Sequence, residues 1–321
     1  MPANPKVLVT RKLPKAVEER LNNDYDCHFN PDDRLYSSDE LVDFAQGMDA
    51  ILPCHTEKLT ADVVARLPDT IKIVANFSVG VDHCDLAAFS ERSIVVTNTP
   101  DVLSDATAEI AILLMLGAAR RAGEGEAMMR NGSWKDWSPA FMVGTSVTGK
   151  RLGIIGMGRV GQVVAKRARG FDMDVHYYNR SKLSSELEQG AMYHDDIDSL
   201  LASCDFISLN CPVNPDTKGL LSRKRISKMR DGAILINTAR GALIDEEAFI
   251  DALKSGKIAA AGLDVYCVEP GGNPEISQLP NTFLLPHIGS ANQETRDAMG
   301  YRALDNLDAF FKGSEPNDRV A

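Results

Sequence analysis

Three side chains that could bind an anion or transfer a proton follow three apolar segments of the sequence. Arg240 follows "ILINTA", Glu269 follows "GLDVYCV" and His287 follows "FLLP". If these segments are parallel strands, their carboxyl ends meet at one edge of a sheet, where open α/β folds bind ligands. Arg240 could hold a carboxylate by two parallel hydrogen bonds, or it could form a structural ion pair. His287 could act as an acid or base beside Glu269, although single residues of these types are more often packed or solvated.

A glycine-rich turn precedes these residues. Gly156, Gly158 and Gly161 form Gly-x-Gly-x-x-Gly between the strand-like "RLGII" and the helix-like "VGQVVAKRA". Such a turn lets a pyrophosphate approach the backbone at the positive end of a helix. The alternative is a tight strand-to-helix turn with no ligand. The flanking pattern favours a dinucleotide-binding turn.

The segment "VHYYNRSK" lacks the acidic residue that NAD-specific domains carry about twenty positions past the glycine turn. Asn179 occupies that place, and Arg180 and Ser181 follow it. A cation and a hydroxyl there could bind the 2′-phosphate of NADP by charge-assisted hydrogen bonds. The alternative is that Arg180 is an ordinary solvated loop charge. We predict NADP as the cofactor, with NADPH preferred over NADH.

Strand and helix patterns alternate along the chain, which predicts parallel sheets covered by helices. A helical pattern over residues 104–121 separates two such series, and a polar loop with two tryptophans follows it. Helices are predicted over residues 14–22 and 61–66. The predicted strands cover residues 6–10, 50–53, 71–75, 94–97, 151–155, 175–178, 206–210, 233–237, 262–265 and 283–285.

The composition is that of a globular protein that binds small molecules. The 321 residues are 44% hydrophobic and 25% charged, with a formal net charge of -10. This charge argues against a nucleic-acid or anionic-membrane partner. The absence of a signal-peptide pattern at the N-terminus predicts a cytoplasmic protein, and residues 110–119 are too short to span a bilayer. The scattered cysteines suggest reduced thiols and no metal site; they are Cys27, Cys54, Cys84, Cys204, Cys211 and Cys267.

Five motifs resemble those of the D-isomer-specific 2-hydroxyacid dehydrogenases, and the resemblance covers nearly the whole chain. They are "SVGVDHCD" at 78–85, "GIIGMGRVGQ" at 153–162, "INTARGALIDEEAF" at 236–249, "AAAGLDVYCVEP" at 259–270 and "LPHIGSA" at 285–291. The resemblance implies an α/β protein with two Rossmann-like domains and the active site in the cleft. A flavodoxin-like substrate domain would comprise 1–99 and 289–321, with an inserted dinucleotide-binding domain at 100–288.

The resemblance also implies roles for individual residues. Arg240 would bind the substrate carboxylate and polarise the oxo group, His287 would be the acid/base, and Glu269 would orient His287 and support its charged form. The backbone of Val79 and Gly80 would complete the carboxylate clamp. Asp264 would hold the nicotinamide carboxamide. The other implied cofactor-binding residues are Gly156, Met157, Gly158, Arg159, Val160, Gly161, Asn179, Arg180, Ser181, Thr107, Cys211, Pro212, Thr217, Thr238, Ala239 and Gly289.

Within the family, the motifs are most similar to those of glyoxylate and hydroxypyruvate reductases. Trp137 matches a tryptophan that reaches toward the substrate from the partner subunit, which implies a homodimer; alternatively, it packs on its own chain. The implied reaction is reduction of glyoxylate or hydroxypyruvate by NADPH. The alternatives are another D-2-hydroxyacid dehydrogenase, of the D-lactate, hydroxyphenylpyruvate or phosphoglycerate type, and a dinucleotide-sensing binding protein.

Overall fold

The structure, a computed structural model, describes residues 4–321 and divides into two compact units. One unit runs up to Leu103 and includes Ala291–Ala321, and the other is Ser104–Ser290. The sequence predicts divisions after residues 99 and 288. Each unit contains a parallel sheet with helices, so the predicted α/β class with two Rossmann-like domains is confirmed. The assignment of one unit to substrate and the other to cofactor stays a prediction.

The first unit has a five-stranded parallel sheet in the order β2-β1-β3-β4-β5, which is the flavodoxin-like order. Its strands are β1 Lys6–Val9, β2 Asp26–His28, β3 Ala50–Leu52, β4 Ile73–Ala75 and β5 Val95–Thr97. Its helices are α1 Lys15–Asp24, α2 Ser38–Phe44, α3 Ala61–Arg66, α4 Leu86–Glu91 and, from the C-terminal segment, α13 Gln293–Phe311.

Burial on both faces explains the continuous apolar runs in the central strands of this unit. Val7, Leu8 and Val9 are fully buried, as are all the residues of β3 and β4. Parallel sheets covered on both sides select such runs in place of alternation. Side-chain caps begin the flanking helices: Thr60 accepts from the Val63 amide at α3, and similar caps begin α2, α4 and α13.

The second unit has a seven-stranded parallel sheet in the order β12-β11-β10-β9-β6-β7-β8. Its strands are β6 Arg151–Ile155, β7 Asp174–Tyr178, β8 Met192–His194, β9 Phe206–Leu209, β10 Ala233–Asn237, β11 Ile258–Leu263 and β12 Thr282–Leu284. Its α-helices are α5 Ser104–Ala119, α6 Ala122–Arg130, α7 Arg159–Arg169, α8 Ser185–Glu188, α9 Ile197–Ser203, α10 Arg223–Lys228, α11 Glu246–Ser255 and α12 Pro274–Ser277. The strand order reverses between β6 and β9, which is where dinucleotide-binding folds place their ligand.

The edge strands β2 and β8 are additional to the predicted set, and β11 differs from its predicted range of 262–265. Strands β2 and β8 are short segments, "DCH" and "MYH", and lack an apolar run. Strand β11 consists mainly of alanine and glycine because α5 packs directly against it. A Cβ on Gly262 would lie 2.7 Å from the Cβ of Leu114 in α5. Large β-branched residues, the usual signal of a buried strand, do not fit there.

The helical pattern predicted over residues 104–121 forms one helix, α5, and a second helix, α6, follows directly after it. Helix α5 ends at Ala119, and Arg121 then adopts a left-handed conformation with φ 55° before α6 begins. Nine residues of α5 are buried. Among residues 4–321, none of the helices has the length and apolar character needed to cross a bilayer.

Candidate active site

The glycine turn after β6 has the close contacts that require glycine. Gly156 has φ 93°, a conformation that side chains rarely adopt, and a Cβ there would lie 2.6 Å from the amide nitrogen of Cys211. A Cβ on Gly161 would lie 2.4 Å from the carbonyl oxygen of Gly156. Helix α7 begins at Arg159 with no acidic residue in its first turn. The turn therefore offers backbone amides and a positive helix end to a pyrophosphate.

The side chain of Asn179 braces this turn. Its carboxamide oxygen accepts from the Met157 amide at 2.7 Å, and its nitrogen lies 3.5 Å from the Met157 carbonyl oxygen. The Gly156 amide also donates to the carbonyl of Tyr178 at 3.0 Å. A neutral residue at this position therefore supports the glycine turn from the end of β7, a role that the sequence pattern alone does not indicate.

Arg180 and Ser181 are exposed beyond Asn179. Within residues 4–321, the Arg180 guanidinium has no ion-pair or hydrogen-bond partner. The next cation, Lys182, lies 3.7 Å from a carboxylate oxygen of Glu188. Arg180 therefore has its hydrogen-bonding capacity available at the end of β7.

The remaining predicted cofactor residues lie mostly in loops that follow strands of the same sheet. Cys211, Pro212 and Thr217 follow β9, where the Thr217 hydroxyl donates to the carbonyl of Pro212 at 2.7 Å. Thr238 and Ala239 follow β10, and Thr107 is buried in α5. The structure thus brings these residues to the unit that carries the glycine turn. Their contacts with a cofactor stay predictions.

Arg240 lies in a turn that Asn237 holds. Asn237 ends β10, is fully buried, and accepts from the Ala239 amide at 3.0 Å. Its nitrogen donates to the carbonyl of Arg240 at 2.9 Å. The half-buried Arg240 also donates from Nη1 to the carbonyl of Ala239 at 2.8 Å. The backbone that carries the guanidinium is therefore set by a side chain that precedes it.

Glu269 and His287 form a hydrogen-bonded pair. Nδ1 of His287 lies 2.6 Å from Oε2 of Glu269, and both side chains are about one-quarter exposed. The other carboxylate oxygen accepts from the Tyr266 amide at 2.7 Å. Because an ionised carboxylate can only accept, the proton of this bond lies on Nδ1 of the ring. The pair can therefore orient the ring so that Nε2 exchanges a proton with a substrate.

Asp264, at the end of β11, holds the backbone that follows His287. Its two carboxylate oxygens accept from the amides of Ile288 and Gly289, each at 2.7 Å. Burial raises the pKa of Asp264, while these amide bonds and the neighbouring His287 act in the opposite direction. His287 itself has a left-handed backbone, with φ 54°. The predicted contact of Asp264 with a nicotinamide carboxamide stays a prediction.

In the first unit, Val79 and Gly80 lie in the loop after β4. The Ser78 hydroxyl donates to the Gly80 carbonyl at 2.8 Å, and the Asn98 side chain donates to the Val79 carbonyl at 2.9 Å. Among residues 4–321, no acceptor is found for the amides of Val79 or Gly80. Such amides can bind a carboxylate oxygen.

Trp137 is 68% exposed in the polar loop, so the alternative that it packs on its own chain is not supported within residues 4–321. Trp134 is 50% exposed, and its indole N–H donates to the carbonyl of Asp136 at 2.8 Å. The predicted contact of Trp137 with a partner subunit stays a prediction.

Sequence reasoning missed two residues that shape this site, Asn237 and Tyr266. Asn237 has a recognisable signal because a polar residue ends the otherwise apolar strand "AILIN". Buried polar groups are usually hydrogen-bonded, so this residue needed a specific partner. Tyr266 has no comparable signal, since tyrosine is common near strand ends.

The family model for the D-isomer specific 2-hydroxyacid dehydrogenase NAD-binding domain matches residues 112–289. A glycerate dehydrogenase from Hyphomicrobium methylovorum is 45% identical over 318 residues, which cover 98% of this chain and 99% of the relative. A glyoxylate reductase from Thermococcus litoralis is 42% identical over 321 residues, which cover 98% of this chain and 96% of that relative.

Two solved structures of similar proteins share both sequence and fold with this chain. A putative D-isomer specific 2-hydroxyacid dehydrogenase from Polaromonas sp. JS6 66 is 44% identical, with a TM-score of 0.94 and full coverage of both chains. An NADPH-dependent glyoxylate/hydroxypyruvate reductase from Sinorhizobium meliloti, solved with NADP and malonate, is 31% identical, with a TM-score of 0.88 and coverage of 99% and 97%.

The fold and the site define an oxidoreductase that uses a nicotinamide dinucleotide. The chain belongs to the D-isomer specific 2-hydroxyacid dehydrogenase family, as its sequence motifs predicted.

Proposed function

We propose that the protein reduces glyoxylate and hydroxypyruvate to 2-hydroxy acids with NADPH. The observation that carries the proposal is the Glu269–His287 pair at 2.6 Å in the unit that also holds Arg240 and the glycine turn. The names of the relatives support the substrate class. One is a glyoxylate reductase, and another is a glycerate dehydrogenase; glycerate is the reduction product of hydroxypyruvate.

NADPH would supply a hydride to the carbonyl carbon of the 2-oxo acid. His287 would donate the proton from Nε2 to the oxo oxygen, while Glu269 keeps the other proton of the ring on Nδ1. Arg240 would bind the substrate carboxylate and stabilise the negative charge that develops on the oxo oxygen. The open amides of Val79 and Gly80 support a further role in carboxylate binding.

The preference for NADPH rests on the end of β7. Asn179 carries no charge that would repel a 2′-phosphate, and its side-chain oxygen accepts a hydrogen bond from the Met157 amide. Arg180 and Ser181 are exposed and offer a guanidinium and a hydroxyl. Phosphate–guanidinium hydrogen bonds are among the stronger ones, which supports discrimination against NADH.

A homodimer is also proposed. Support comes from large apolar side chains that are exposed around α5, α6 and the following loop, since such surfaces mark interfaces. They are Leu113, Met129, Trp134, Trp137, Phe141 and Val143.

The six cysteines are all free thiols, which supports the proposed cytoplasmic location.

Steady-state kinetics with glyoxylate, hydroxypyruvate, pyruvate and phenylpyruvate, each with NADPH and NADH, test the proposal. The highest kcat/KM is expected for glyoxylate or hydroxypyruvate with NADPH. A clear preference for pyruvate or phenylpyruvate would instead indicate a D-lactate or hydroxyphenylpyruvate type of enzyme. Cofactor binding without turnover of any oxo acid would favour the dinucleotide-sensing alternative.

A further inference from the structure

We propose that Tyr266 is a positioning residue for proton transfer, which holds the turn of His287 against the carboxylate of Glu269. The inference rests on the proposed function. It concerns a residue that acts through its neighbours and makes no contact with the substrate.

Tyr266 contacts both of the segments that carry the proton-transfer pair. Its backbone amide donates to Oε1 of Glu269 at 2.7 Å. Its hydroxyl donates to the carbonyl of Leu285 at 2.9 Å and lies 3.3 Å from the carbonyl of Leu263. Leu285 is two positions before His287 in the chain. One residue therefore fixes the Glu269 carboxylate through its main chain and the His287 segment through its side chain.

The backbone of His287 needs such support because its conformation is unfavourable. A left-handed conformation in a residue other than glycine costs roughly 1 kcal/mol or more and persists where the surroundings impose it. Asp264 holds the turn on its C-terminal side, through the amides of Ile288 and Gly289. The Tyr266 hydroxyl holds it on the N-terminal side, through Leu285. Asp264 and Tyr266 stand on either side of Val265, so a short segment after β11 holds both sides of the turn.

The tyrosine hydroxyl is suited to this role and not to acid catalysis. Burial raises the pKa of Tyr266 to about 12, with Asp264 and Glu269 acting in the same direction, so the hydroxyl keeps its proton at neutral pH. That proton is directed to a main-chain carbonyl. The ring packs near Gly272, where an added Cβ would lie 3.2 Å from a ring carbon. The ring position therefore does not depend on the hydroxyl alone.

Loss of the hydroxyl should affect the orientation of the His287 ring. Without the bond from Tyr266, Leu285 is held within residues 4–321 only by its own amide, which donates to the Leu263 carbonyl at 2.8 Å, so the N-terminal side of the turn is less constrained and the distance from Nδ1 to Glu269 becomes variable. Small displacements of a catalytic group lower the rate strongly because the reacting atoms must stay aligned. We expect a lower kcat with little effect on cofactor binding.

The test is Tyr266→Phe in the full-length protein, which keeps the ring and removes the hydroxyl. We expect kcat for glyoxylate reduction to fall about tenfold, equivalent to about 1.4 kcal/mol, with the KM for NADPH within about twofold of wild type. The second measurement is proton NMR of the free enzyme. The Nδ1 proton of His287, assigned by its loss in His287→Ala, should give a downfield signal in wild type that broadens in Tyr266→Phe through faster exchange with water.

Tyr25→Phe is the matched control. The Tyr25 hydroxyl donates to Asp308 at 2.5 Å in the other unit, and the residue is 6% exposed. Its loss should lower the melting temperature without changing kcat or the His287 signal. If Tyr266→Phe also lowers only the melting temperature, or changes nothing, the positioning role is overturned. If wild type turns over no 2-oxo acid, the proposed function fails, and the His287 signal still decides whether Tyr266 holds the pair.

Discussion

The two ends of the seven-stranded sheet contrast in how their functional groups are held. Beside β10, β11 and β12, hydrogen bonds within the protein already hold the Arg240 turn and the Glu269–His287 pair. Beside β6 and β7, Asn179 braces the glycine turn, but the Arg180 guanidinium is exposed and unpaired within residues 4–321. The protein thus arranges its proposed proton-transfer groups in advance and leaves part of its proposed phosphate site for the ligand to complete.

This difference has a physical reason. Groups that stabilise a transition state are most effective when they need no rearrangement during the reaction. A surface arginine that binds a phosphate can instead be ordered by the ligand, which reduces affinity by the entropy of that ordering. Substitutions at the proton-transfer end should therefore affect mainly kcat, and those at the phosphate end mainly the KM for the cofactor.

His287→Ala should have the largest effect. Removing the proposed acid should lower kcat by about a hundredfold or more, the scale of general acid catalysis. Cofactor binding, followed by NADPH fluorescence, should remain, because Asp264 still holds the backbone of the turn through Ile288 and Gly289. Near-normal turnover at neutral pH would show that another group supplies the proton.

Arg240→Lys should have the next largest effect. The variant keeps the charge but loses the planar fork that binds a carboxylate by two hydrogen bonds. We expect kcat/KM for glyoxylate to fall about thirtyfold, equivalent to about 2 kcal/mol. Oxalate, a dicarboxylate inhibitor, should bind more weakly, whereas the affinity for NADPH should be unchanged. An unaltered inhibition constant for oxalate would remove the assignment of Arg240 to the substrate carboxylate.

Glu269→Gln should lower kcat by an intermediate amount. Two different carboxylate oxygens accept from Nδ1 of His287 and from the Tyr266 amide, whereas a glutamine has only one amide oxygen. The variant therefore loses one of these two bonds together with the negative charge beside the ring. We expect kcat for glyoxylate to fall about tenfold, equivalent to about 1.4 kcal/mol, with the KM for NADPH unchanged. A kcat equal to that of wild type would mean that Glu269 has no part in positioning His287.

Arg180→Ala should raise the KM for NADPH about tenfold, equivalent to about 1.4 kcal/mol. The KM for NADH, which lacks the 2′-phosphate, is the internal control and should hardly change. Steady-state kinetics with both cofactors at saturating glyoxylate provide the measurement. An equal increase in the KM for both cofactors would contradict the assignment of Arg180 to the phosphate. A wild-type enzyme that prefers NADH would contradict it as well.

Asn179→Ala should give the smallest effect and a different pattern. The substitution leaves the buried Met157 amide without its acceptor and loosens the turn that both cofactors would use. The KM for NADPH and for NADH should rise together by about fivefold, corresponding to about 1 kcal/mol. An increase in KM confined to NADPH would instead place Asn179 at the 2′-phosphate.

Local patterns in the sequence account for much of the fold. The central strands could be predicted because burial on both faces selects runs such as "KVLV" and "AILIN", whose residues are mostly β-branched or large. The glycine turn could be predicted because Gly156 and Gly161 lie where a Cβ would collide with the backbone. Family motifs added the roles proposed for Arg240, Glu269 and His287, which their positions in the sequence do not specify.

The sequence by itself determined the two α/β series, the place of the glycine turn and the absence of an acidic residue at position 179. Each of these features depends only on neighbouring residues and on regular spacing. Only the tertiary structure decided which distant groups meet. Strand β11 consists mainly of alanine and glycine because α5 packs against it. Asn237 braces Arg240, and Tyr266 connects Glu269 with the segment of His287. These contacts join residues whose partners depend on loop conformation, including the left-handed backbone of His287, and no periodicity in the sequence encodes them.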